Sequence, residues 1–132
     1  MAMANIKAVF PCNLDKVWNL VTSLENYSWR SDLSKIEVIA AEKKFVEHTK
    51  DGYATTFTIT LLEPMKRYEF DMDNENMHGH WVGMFTYDKE KTTVDFTENV
   101  TAKKLVMKPF VGMYLKKQQA TYIADLKKAL GC

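Results

Sequence analysis

The sequence predicts an α+β fold, and three observations lead there. A short strand pattern and an amphipathic helix open the chain, a run of hairpin signals fills its middle, and one long helix ends it. Helices set apart from an antiparallel sheet make an α+β domain, since each apolar face must be buried against another element. With 132 residues, 46% of them hydrophobic, residues 1–132 have the size and apolar content of one domain with its own core.

Each element has a local cause. Asn5 to Phe10 alternates apolar and polar residues, the period of a strand. Asn13 is placed to cap a helix whose apolar positions, Leu14, Val17, Trp18, Val21 and Leu24, follow helical spacing, and Asp15 suits its positive end. The stretch Asn26 to Leu33, NYSWRSDL, has neither period, and two large aromatics stand in it among polar residues. Lys35 to Ala40 reads as the next strand. Turns follow at Asp51-Gly52, around Pro64 and at Lys89-Glu90. Pro109 to Leu130 predicts the last helix, with proline in its first turn and Gly131 at its end. Val111, Leu115, Tyr122, Leu126 and Ala129 form its apolar stripe, widened by Ile123 and Leu130.

The turns also set which side chains share a face, because a strand repeats every two residues. Around Pro64, pairing Leu62 with Arg67 sets Leu61, Ile59 and Phe57 against Tyr68, Phe70 and Met72. Thr56, Thr58, Thr60, Glu69 and Asp71 then share the wet face. Around Lys89-Glu90, pairing Tyr87 with Thr92 places Phe85 opposite Val94, Gly83 opposite Phe96 and Trp81 opposite Glu98. Around Asp51-Gly52, a two-residue turn pairs Lys50 with Tyr53, sets Val46 opposite Phe57 and turns His48 inward; a three-residue loop reverses that register. The last helix must bury its stripe on the inner face so defined.

The totals exclude several classes of function. Lys plus Arg is 18 against 17 for Asp plus Glu, a net charge of +1 that gives no argument for nucleic acid. No apolar run has the length of a membrane span, and MAMANIKAVF lacks the pattern of a secretory signal. Cys12 and Cys132 are accordingly expected as free thiols, and the cytoplasm as the address.

The segments DKVWNLVTSLENYSWRSDLSKIEV, ITLLEPMKRYEF, TTVDFTENVT and KPFVGMYLKKQQATYIADLKKAL resemble, in that order and spacing, the SRPBCC or START-like superfamily. Within it they are similar to the bacterial polyketide cyclase/dehydrase-like proteins, over essentially the whole chain. The resemblance implies a helix-grip fold, in which a strongly curved antiparallel sheet grips a long C-terminal helix around an apolar cavity. Members use the cavity for lipids, sterols, polyketides and other hydrophobic molecules, and some do chemistry in it. The shared segments carry the fold more than any one reaction.

Glu98 is the most pointed candidate residue, an inward carboxylate between Phe96 and Val100. Apolar surroundings raise a carboxyl pKa, which suits an acid, a base or a polar anchor. His48, if inward, is its candidate catalytic partner. The expected lining is Trp18, Trp29, Phe57, Ile59, Phe70, Trp81, Phe85, Phe96, Leu115, Gln119 and Tyr122, with Gln118 at its margin. Trp29 is expected to cap the cavity while Arg30 and Asp32 stay wet, and Tyr27 has either option. His78 and His80 fall on the wet face without a third ligand at fixed spacing, so no metal is expected. No cofactor is expected either, since no Gly-rich phosphate loop is present. The partner implied is a small hydrophobic molecule, with cyclase, aromatase or dehydratase chemistry as the enzyme alternative. A protein-interaction module is the third reading, through Phe110, Met113 and Tyr114 off the main stripe. Monomer and dimer are both open.

Overall fold

The computed structural model describes residues 2–132. Its elements are β1 (Ala2–Phe10), α1 (Leu14–Thr22), β2 (Leu33–Ala40), β3 (Lys44–Thr49), β4 (Ala54–Glu63), β5 (Arg67–Asp73), β6 (Met77–Asp88), β7 (Lys91–Ala102) and α2 (Lys108–Leu130). A single 3-10 turn, Leu105–Met107, leads into α2. The seven strands form one antiparallel sheet in the order β1-β7-β6-β5-β4-β3-β2. β2 to β7 thus follow one another as hairpin neighbours, and only β1 crosses over, to the free side of β7. α2 lies against β1 and β7, and α1 against β6, β7 and α2.

β7 shows why the sheet has one dry face. Thr92, Val94, Phe96, Glu98, Val100 and Ala102 are buried in strict alternation with half-buried neighbours. The Lys89-Glu90 turn sets its register as the spacing predicts: Phe85 pairs with Val94, Gly83 with Phe96 and Trp81 with Glu98. Both turn residues adopt positive φ, 51° and 65°, which matches the twist of a two-residue hairpin. α2 buries Val111, Leu115, Gln119, Leu126 and Leu130, while Ala129 falls on the exposed side. It ends at Gly131 in the left-handed conformation, φ 69°.

Two hairpins depart from the expected register. At the β3–β4 turn, Gly52 has φ 90° and closes a three-residue loop, with the Thr49 amide donating to the Tyr53 carbonyl at 2.8 Å. Phe45 therefore pairs with Phe57, and His48 with Ala54. Phe45 and Glu47 take the inner face expected for Val46 and His48. At the β4–β5 turn, Glu63 pairs with Arg67, and a bulge between Ile59 and Leu61 restores the expected pairing of Ile59 with Phe70. The bulge turns Leu61 outward, 37% exposed, and Leu62 packs on the core instead.

The chain ends also differ from expectation. Cys12 and Cys132 form a disulfide, with Cα atoms 5.9 Å apart, inside the range that bond requires. Burial of Leu126 and Leu130 among Phe10, Cys12 and Val17 seats the end of α2 on the β1–α1 corner and brings the two cysteines together. Lys16 Nζ adds a bond to the Leu130 carbonyl at 2.7 Å.

Candidate functional site

Two adjoining hollows lie between the sheet and α2, of about 100 and 350 Å³. They share the wall residues Glu47, Phe57, Met72, Glu98 and Gln118. The smaller, inner one is walled by aromatics because β3 to β7 send their inward positions there. Phe45 stacks on Phe57 at 4.9 Å, Phe70 stacks on Trp81 at 4.7 Å, and Phe96 lies beside Trp81 at 4.8 Å. Gly83 makes room for this wall: a Cβ there would collide with the Trp81 ring. The larger hollow opens between the β3–β4 turn, the β5–β6 turn and the start of α2, past Tyr53, Asn76, Phe110 and Tyr114.

The NYSWRSDL segment covers the inner hollow. Its irregular backbone is held by side chains rather than by a ladder. Trp29 donates its indole N–H to the Asn26 carbonyl at 3.0 Å and meets Tyr122 edge-on at 5.4 Å. Ser31 ties the segment to α2 by donating its amide and its hydroxyl to Asp125, at 2.8 and 2.7 Å. Trp29 and Tyr27 both line the hollow.

Arg30 is the main departure. Expected in water, its side chain is 11% exposed and lies over the Tyr122 ring at 4.7 Å. It bridges Asp32 at 3.1 Å and Glu47 at 3.5 Å. Burial alone would lower its pKa, but Glu47, Tyr122 and Asp32 more than reverse that and keep it charged. Glu47 is drawn upward by burial against the opposing pull of Arg30. Tyr122 is likewise raised, mainly by burial.

Glu98 is 6% exposed and faces both hollows. Among the described residues it has no hydrogen-bond or ion-pair partner in the structure. Burial pushes its carboxyl up to about 7. Gln119, beside it on the inner wall, is already engaged: its Nε2 donates to the carbonyls of Ala4 at 3.3 Å and Phe96 at 3.5 Å.

Of the other expected lining residues, Trp29, Phe57, Phe70, Trp81, Phe96 and Tyr122 wall the inner hollow and Leu115 the outer one. Trp18, Ile59 and Phe85 do not. Trp18 packs edge-on against Phe85 at 4.9 Å and Tyr68 at 6.3 Å, below the aromatic wall. Ile59 packs against the same core cluster. His48 is corrected as well: it points away from the hollows, 3.3 Å from Glu37 on neighbouring β2. His80 sits on the outer face between Asp71 at 2.6 Å and Glu69 at 2.8 Å. Sequence reasoning missed Glu47 and Arg30; the three-residue alternative at Asp51-Gly52 was the signal for the first. Phe110, Met113 and Tyr114 are exposed, as are Leu105 and Val106 before them. Among the described residues no helix is long and apolar enough to cross a membrane.

Comparison with known proteins agrees with this architecture. A START superfamily protein from Mycobacterium smegmatis superposes with a TM-score of 0.89 at 9% identity, over 99% of this chain and 98% of that one. A conserved protein from Geobacillus kaustophilus gives 0.83 at 14% identity, over 98% and 95%. A protein of the dynemicin biosynthetic locus gives 0.81 at 15% identity, over 99% of this chain and 48% of that one. No curated protein matches the sequence significantly. The family model described as polyketide cyclase / dehydrase and lipid transport matches residues 1–131. The chain belongs to that family.

Proposed function

We propose that the protein binds a small hydrophobic molecule in the hollows between the sheet and α2, with Glu98 as the polar anchor. One observation carries this reading: a buried carboxyl without a protein partner faces a space walled by Phe57, Phe70, Trp81 and Phe96. The Glu98 carboxyl is largely withdrawn from water yet open to the hollow, and a few such polar groups in an apolar pocket serve to orient a ligand. The space walled by these aromatics is about 100 Å³; the adjoining hollow, which Glu98 also faces, is about 350 Å³, and that one is within the usual range for small-molecule sites, roughly 300–1,000 Å³.

Native mass spectrometry of protein purified without detergent tests the proposal. A retained small molecule, released by Trp81→Ala or by organic solvent, is the expected result. A bare chain that also takes up no hydrophobic probe from a mixed library would refute it. The enzyme alternative needs a second acid–base group near Glu98, and His48, its expected partner, lies on the other side of the sheet.

A further inference from the structure

The charges around the hollows are strongly one-sided. The whole chain carries 18 Lys and Arg against 17 Asp and Glu, yet the walls do not sample that balance. Asp32, Glu47, Asp51 and Glu98 line the two hollows, and among the described residues Arg30 is the single Lys or Arg that does. Arg30 is moreover already paired with two carboxylates, which engage three of its five N–H donors. Its Nε and Nη2 donate to Asp32 at 3.2 and 3.1 Å, and its Nη1 to Glu47 at 3.5 Å. An anionic ligand would have to break that fork or lie beside carboxylates with no free cation to meet it.

We infer that the ligand is a cationic one, an apolar body carrying a protonated amine, with the amine at Glu98 and the body among the aromatic walls. This inference rests on the proposed binding reading and names its ligand class. An ammonium supplies what Glu98 lacks, several donors to one carboxylate. Phe57, Trp81 and Phe96, stacked or packed on neighbouring rings, supply apolar wall for the body rather than for the charge. A metal ion is a poorer match: hard cations need several converging oxygens, and among the described residues no three His, Cys, Asp or Glu converge to hold one.

Ionisation of Glu98 enters the same balance. Its carboxyl, raised to about 7 by burial, ionises more readily beside an ammonium, so amine binding should strengthen as pH rises through neutrality. The charged groups around it are Arg30 from the covering segment, Asp32 at its end, Glu47 from β3, and Asp51 from the β3–β4 turn. His78 lines the hollow from β6, one position before the inward Gly79. Tyr27 faces it from the covering segment, Tyr53 from the β3–β4 turn, Tyr68 from β5, and Tyr114 and Tyr122 from α2.

The test compares phenylbutylamine, phenylbutanol and phenylbutyrate, three probes with one skeleton and different heads. Binding to wild type and to Glu98→Gln is followed by tryptophan fluorescence, since Trp29 and Trp81 are in the wall. At about pH 8 the amine should bind tightest and the acid weakest. Glu98→Gln should cost the amine about tenfold while leaving the alcohol within about twofold. If the acid or the alcohol binds as well as the amine, or if the amine is indifferent to Glu98→Gln, the charge inference is overturned and cavity binding stands. If none of the three binds, both readings fall. Glu98→Gln removes a buried charge and keeps the side chain's shape, so loss of folding should not obscure the result.

Discussion

Glu98 lies on β7 between Phe96 and Val100, and what the strand does with it follows from its alternation alone. A carboxyl whose folded pKa is about 7, against an ordinary 4.5, holds its proton more tightly in the native state than in the unfolded chain. The stability tied to the neutral form is therefore complete below about pH 4.5 and is lost as pH rises through 7. The whole shift corresponds to about 3 kcal/mol. Glu98→Gln should thus leave stability nearly unchanged at about pH 4 and raise it by about 2–3 kcal/mol at about pH 8. Urea unfolding at the two pH values checks this; equal destabilisation at both would show a structural role for the carboxylate. Arg30 was harder to foresee. Nothing in NYSWRSDL distinguishes an arginine in water from one turned under Trp29, because its partner Glu47 is 17 positions away and its π face, Tyr122, lies on the last helix.

At the scale of elements, hairpins decided the site. The Lys89-Glu90 hairpin could be read from the sequence because its two-residue turn allows one register and apolar residues alternate on both sides. The Asp51-Gly52 hairpin could not, since Gly52 serves a two-residue or a three-residue loop equally well. One residue of difference exchanged His48 for Glu47 on the inner face, and with it the candidate acid–base pair for an ion pair with Arg30. β6 carries a second local constraint. Gly83 sits under the Trp81 ring, so Gly83→Ala must displace that indole from its stack on Phe70 and its contact with Phe96. The expected cost is about 1–3 kcal/mol, as for other overpacked cores. A loss of near-ultraviolet circular dichroism should accompany it, and an unchanged unfolding midpoint would contradict the assignment.

The whole molecule is closed by contacts between its ends. The Cys12–Cys132 bond spans a sequence separation of 120 residues, and cross-linking so long a loop restricts the unfolded chain strongly. Chain-entropy reasoning assigns such a loop about 4–5 kcal/mol, and removal of comparable bonds costs about 2–5 kcal/mol. Cys12→Ser should lose that much in urea unfolding, and reductant should produce the same loss in wild type but none in the variant. Fold and folding need not fail, because Leu126 and Leu130 still seat the end of α2 on Phe10 and Val17. Retention of full stability by Cys12→Ser would mean the bond does not form in solution.

The sequence by itself determined the elements, their order, the dry face of β5 to β7 and the inward position of Glu98. Each of these depends on periodicity or on a turn that admits one geometry, and such information is local. Only the tertiary structure decided the register at Gly52, the burial of Arg30 and the meeting of Cys12 with Cys132. It also decided that Trp18, Ile59 and Phe85 fill the core while Trp29 and Tyr122 wall a hollow. Periodicity reports that a side chain faces inward. Whether it meets packed neighbours or open space depends on how far the sheet stands from the helix, and that distance is set by residues remote in the chain.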